Sequence, residues 1–132
     1  MVISDPVDVL DLPHVFPQIE PYITRLHLEF EGDPAWLIYE SLELGQTSLH
    51  VVEGEGFAIL MIDDDRSCFV VSMAAIDGVT IRSIYVIISN AIEWLKQHHC
   101  PHLSFRSPRK GWDKVAKRLG FTKTDDLFER KL

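Results

Sequence analysis

Hydrophobic spacing changes period several times along this chain, and each change marks an element. The run Phe-Ala-Ile-Leu-Met-Ile at 57–62 is apolar throughout, and Cys-Phe-Val-Val-Ser-Met-Ala-Ala-Ile at 68–76 is nearly so. Apolar runs this short, bounded by turn residues, predict strands covered on both faces. Asp-Asp-Asp-Arg at 63–66 predicts the hairpin turn between them. A weaker alternation at 49–52, ahead of Gly54-Glu55-Gly56, predicts a third strand, so 49–76 reads as an antiparallel meander.

The spacing then turns helical. Ile81, Ile84, Tyr85, Ile88, Ile92 and Leu95 fall on one face of a helix over 81–97, and Ile87, Ala91 and Trp94 line a second. A helix apolar around so much of its circumference is predicted to pack centrally on a sheet and to be covered elsewhere. A short strand follows at 102–106. The next helix, over 108–119, carries one narrow stripe of Trp112, Val115, Ala116 and Leu119, and Gly120-Phe121 closes it. Phe121 opens a last segment, with Phe128 and Leu132 as its core residues.

The first third is less regular. Residues 1–4 predict a short strand ended by Asp5-Pro6. Pro13, Pro17 and Pro21 each lack an N–H and fix φ, which predicts a broken helix with its best turns over 17–27. Asp33-Pro34 predicts the next helix start, with Asp33 as N-cap and Pro34 as first helical residue, and Gly45 predicts its end.

A chain of 132 residues, 46% of them hydrophobic, suits one folded domain over 1–132. Neither a basic-then-apolar leader nor a long apolar run occurs, so no secretory signal and no membrane span are expected, and the expected location is cytoplasmic. Cys68 and Cys100 are then expected as free thiols. Charge changes the picture more. Residues 1–65 hold fourteen Asp or Glu and one basic residue, Arg25; residues 66–132 hold twelve Lys or Arg and six Asp or Glu. Such asymmetry predicts two electrostatic faces. Basic density peaks over 106–118, where Arg106, Arg109, Lys110, Lys114, Lys117 and Arg118 accompany a single Asp113. With a net charge of −7, this patch points to a protein partner with an acidic surface or to self-association, and not to nucleic acid.

His98, His99, Cys100 and His102 have the composition of a metal site. Adjacent histidines on a helix end diverge, however, and no distant ligand pair completes a tetrahedral set. The segment reads as a helix C-terminus, where the dipole favours His, stopped by Pro101, with no metal. No serine lies in a Gly-x-Ser-x-Gly elbow.

The order strand, long helix, strand, basic helix, Gly-Phe and final strand, with Gly111-Trp112 and Leu119-Gly120-Phe121, resembles the GNAT superfamily of N-acetyltransferases. The resemblance covers 68–121 in sequence and nearly the whole chain in topology. Trp-Leu-Ile-Tyr-Glu-Ser-Leu at 36–42 and Arg-x-x-Gly-Trp at 109–112 also resemble small acetyltransferase-like proteins of tailed bacteriophages, some of which are virion components. The resemblance implies an α/β fold: a mixed, mostly antiparallel central sheet of about six strands, with helices on both faces. Its strands near 68–76 and 102–106 are expected to lie parallel and diverge.

For an active protein the resemblance implies acetyl-CoA, bound through Met73, Gly78, Arg82 and Ser83. The family cradles the pyrophosphate on N–H groups at the start of the long helix, where small residues allow close approach. Here Ile81 and Arg82 stand among those small positions. The family often places a general-acid tyrosine on the last helix; the matching turn here is Val115, Ala116 and Lys117. Glu29, Glu31 and Glu40 are the candidate general bases. These departures favour a catalytically degenerate protein with no cofactor, acting through protein contacts in a host cytoplasm or a virion, over a working enzyme.

Overall fold

The apolar runs pair as their spacing predicts. In the computed structural model, which describes residues 5–30, 32–76, 81–107 and 112–132, β1 (Ser48–Val52), β2 (Gly56–Ile62) and β3 (Cys68–Ala75) form an antiparallel meander. The strand read at 1–4 lies outside the described residues. The Val7 N–H does reach the Leu49 carbonyl at 2.8 Å, so the chain before α1 meets the outer edge of β1. Helix α3 (Ile81–Gln97) then crosses to β4 (His102–Arg106), which lies parallel to β3. Helix α4 (Trp112–Arg118) leads into the hairpin β5 (Thr122–Thr124) and β6 (Leu127–Lys131), so the single last segment expected from sequence is two short strands. Strand order is β1-β2-β3-β4-β6-β5.

Side-chain alternation sends each face of the sheet to its own helices. Ala58 and Leu60 of β2 join α3 and α4 in one core, while Phe57 and Ile59 join α1 (Leu12–Phe30) and α2 (Ala35–Glu43) in the other. Phe105 anchors the first core: it stacks on Phe128 at 4.8 Å and meets Trp112 and Phe121 at 5.1 and 5.2 Å. Trp112 is buried, as its stripe predicts, but Tyr85 is 40% exposed and belongs to no core. Leu119-Gly120-Phe121 ends α4 as a Schellman motif. The Gly120 N–H reaches Lys117 O, the Phe121 N–H reaches Ala116 O, and Gly120 takes φ +80°. His99 does the same work at the end of α3 with φ +58°, so the histidine cluster is a helix terminus here as the sequence suggests.

Two further expectations fail. Helix α1 runs unbroken through Pro17 and Pro21. The prolines recur every fourth residue, so their missing hydrogen bonds line up on one exposed stripe, opposite the buried Leu12, Phe16, Ile19 and Ile23. The carbonyls left over, of Pro13 and Pro17, are thereby on the solvent side, where water can satisfy them. Helix α2 starts one residue later than expected: Pro34 is the extended cap residue (φ −67°, ψ 153°), with no side-chain cap, and Asp33 lies outside the helix. That frees the Asp33 carboxylate.

Candidate active site: the cleft where β3 leaves β4

β3 and β4 pair only at Cys68–Leu103 and Phe69–Ser104. Beyond that point the pairing of β3 with β2 slips by one residue: Leu60 faces Val70, but Ile59 faces Ser72. Val71 is the extra residue of a β-bulge. A bulge bends its strand and increases its twist, and this one comes two residues after the last β3–β4 pair. It also explains the side-chain pattern, since Cys68 and Val70 before it, and Met73 and Ala75 after it, all turn to the α3 side. Past the bulge the two strands splay, and their facing edges have no partner strand in each other.

A cavity of about 190 Å³ fills the splay. Its floor is Val70 to Ala75 of β3 and its far wall is Phe105, Arg106, Ser107 and Trp112. The near wall comes from the end of α1 and the start of α2, with Tyr22, Arg25, Leu26, Asp33 and Ile38. The charged residues that line it are Arg25, Asp33 and Arg106. Arg106 is held by Asp126 at 2.7 Å. Neither Arg25 nor Asp33 has an ion pair among the described residues.

The start of α3 carries a second polar feature. Glu55, in the β1–β2 turn, has its side chain only 11% exposed and meets Arg82 at 3.4 Å; the Arg82 side chain is 76% exposed. Its backbone carbonyl accepts from the Ile76 N–H at 2.9 Å, which ties this turn to the end of β3. Gly56 permits the contact, because a Cβ there would sit 2.1 Å from the Ala74 carbonyl oxygen. The arginine is the exposed partner of this single long contact and Glu55 the buried one.

Of the residues singled out from sequence, the structure brings Met73 to the cleft floor and Arg106 to its wall. Arg82 and Ser83 lie in the first turn of α3, with Arg82 on Glu55. Glu29 and Glu40 are exposed, on α1 and α2, and neither lines the cleft. Gly78, Glu31, Arg109 and Lys110 lie outside the described residues, as does the Ile81 side chain. Lys114, Lys117 and Arg118 form an exposed basic face on α4. His98 stacks on Trp94 at 3.9 Å and His102 contacts Glu129 at 3.2 Å; among the described residues no three His, Cys, Asp or Glu side chains converge. Sequence reasoning missed Tyr22, Arg25 and Asp33. The signal for Arg25 was present, as the only cation among 65 residues.

Solved acetyltransferases share this architecture over nearly the full chain. An aminoglycoside 6'-acetyltransferase type Ii matches with a TM-score of 0.72 at 11% identity, over 99% of this chain and 97% of that one. An acetyltransferase of the GNAT family from Staphylococcus aureus Mu50 gives 0.70 at 14% identity, over 99% of each. The NatC complex bound to Gag peptide and CoA gives 0.68 at 15% identity, over 98% and 96%. No protein-family model and no curated protein matches the sequence. The protein has the GNAT acetyltransferase fold. Among the described residues, no helix is long and apolar enough to cross a membrane.

Proposed function

We propose that the protein binds acetyl-CoA in the β3–β4 cleft and passes its acyl group to a small amine. The observation that carries this reading is the splay itself. A one-residue bulge opens two strand edges onto a small cavity instead of filling it with side chains. Open strand edges offer N–H and C=O groups to an amide-bearing ligand, in the manner of an added strand. Acetyl-CoA supplies an acyl group activated as a thioester: the neutral amine attacks the carbonyl carbon, the C–S bond breaks as the N–C bond forms, and the proton the nitrogen sheds ends on the departing thiol. The β3 edge around Met73 holds the pantetheine arm, Arg82 exchanges Glu55 for a phosphate, and Asp33 attracts the amine. The NatC structure, with its bound CoA, supports a donor of this type for the fold.

Isothermal titration with acetyl-CoA tests the reading. A low-micromolar Kd is expected, weakened about tenfold by Arg82→Ala, the size of one charge-assisted contact. No heat and no displacement by CoA would sink it.

A second reading is favoured by α4. Val115 and Ala116 are buried and Lys117 is exposed, so that turn presents no acid to a leaving thiolate. In this reading the protein is a degenerate acetyltransferase-fold component, of phage type, that grips an acidic protein surface or a second copy through Arg106, Arg109, Lys110, Lys114, Lys117 and Arg118. Reversing Lys114 and Lys117 to Glu is then expected to weaken association and flatten its salt dependence. An unchanged salt response would leave that face as ordinary solvated surface.

A further inference from the structure

We propose that the acyl acceptor is a free α-amino acid with an apolar side chain, its carboxylate held by Arg25 and its ammonium by Asp33. This rests on the acyl-transfer reading and names the substrate class of the same cleft. Arg25 is the only basic residue among the first 65, which carry fourteen carboxylates. It nevertheless does not pair with any of them among the described residues. Instead it lines the cleft, and so does Asp33, from the same α1–α2 wall. The two do not form an ion pair with each other, and Gly32 beside Asp33 lies against Leu26 beside Arg25, so a guanidinium-bearing and a carboxylate-bearing residue share one wall of one cavity. A guanidinium binds a carboxylate through two parallel N–H donors, and a carboxylate binds an ammonium by charge and hydrogen bonds. An α-amino acid carries both groups one carbon apart.

The rest of the cavity sets the side chain. Leu26, Ile38 and Ile84 also line it, so the substituent on the α-carbon meets apolar surface. At about 190 Å³ the space is below the roughly 300–1,000 Å³ typical of sites for drug-sized ligands. A small acceptor fits that limit better than a bulky one. A protein N-terminus or a lysine side chain would bring the ammonium but no carboxylate beside it, leaving Arg25 unused.

The experiment is a pair of titrations at saturating CoA, with L-leucine and with L-leucinamide, which lacks only the carboxylate. Release of free thiol from acetyl-CoA is followed with the same two compounds. Leucine is expected to bind at least about tenfold more tightly than leucinamide, the size of one charge-assisted contact. Arg25→Gln should remove that difference. Arg25→Lys should keep part of it. Equal binding of the two compounds, no binding of leucine, or a preference that survives Arg25→Gln overturns the proposal. Acetylation of leucinamide as fast as leucine removes the amino-acid site and keeps the acyl-transfer reading. Leucine binding that depends on Arg25 in a protein that never binds CoA does the reverse.

Discussion

At Cys68 and Phe69, β3 has a strand on each side, and Cys68, Leu103 and Leu95 around that seam are essentially without solvent exposure. A few residues on, from Val70 to Ala75, the same strand keeps β2 on one edge and has the cavity on the other. The residue types are alike: Cys-Phe-Val before Val71, Ser-Met-Ala-Ala after it. Composition therefore does not separate the closed half from the open one; a single extra residue does. Below Val71 the strand contributes to stability, and above it the strand gives up pairing to make a site.

Substitutions at the two ends should separate accordingly. Leu103→Ala, at the seam, is expected to cost about 2–5 kcal/mol, and Trp112→Ala about 3–5 kcal/mol, in chemical denaturation. Trp112 tests both halves at once, since it packs on Phe105 and also walls the cleft. Gly56→Ala should cost about 3 kcal/mol, because the backbone of Ala74 and Ala75 lies too close to give way. A loss under 1 kcal/mol at Leu103 would mean that the seam is not the stabilising end.

The seam also has a pH signature. Burial, with Cys100 nearby and Asp63 adding to it, pushes the Cys68 thiol from 9.0 up to about 12. The fold thus favours the neutral thiol. Its contribution is fully present below pH 9 and is lost as pH rises toward 12. Stability should decline across that window, and Cys68 should stay inert to a thiol reagent at pH 8 until the protein unfolds. Rapid native labelling of Cys68 would contradict the closed seam. Smallest is His99→Gly, which removes a side chain from the left-handed region at the end of α3 and should raise stability by about 1 kcal/mol. The gain should leave ligand binding untouched, because His99 is not among the residues that line the cleft.

Much of the fold was legible because period and punctuation agree over 49–121. The meander, the long helix, the parallel crossover and the Leu-Gly-Phe stop each have a local cause in the residues. The unbroken helix α1 is hidden when each proline is taken alone; their fourfold spacing is what confines the lost hydrogen bonds to the exposed stripe. The bulge was not legible. Val70-Val71-Ser72 has no glycine to mark it, and a strand apolar on both faces hides a shift of one residue. The cleft walls were legible only in part. Met73 stands out as a cofactor contact, whereas Arg106 reads as part of the basic patch and Asp33 as a cap, and the place of Asp33 on the wall goes with α2 starting after Pro34.

Deletion of Val71 tests most directly whether the bulge makes the site. Without it, Cys68, Val70, Met73 and Ala75 fall into regular alternation on the face they already use, so the fold and its cores are retained. The β3–β4 pairing can then continue past Phe69, and the cavity closes. Calorimetric titration with acetyl-CoA, beside a denaturation curve for the same variant, reads both halves of the comparison. The prediction is low-micromolar binding in the parent, at least about tenfold weaker binding in the variant, and unfolding that stays cooperative. Equal affinity in parent and deletion variant, with both folded, would contradict it.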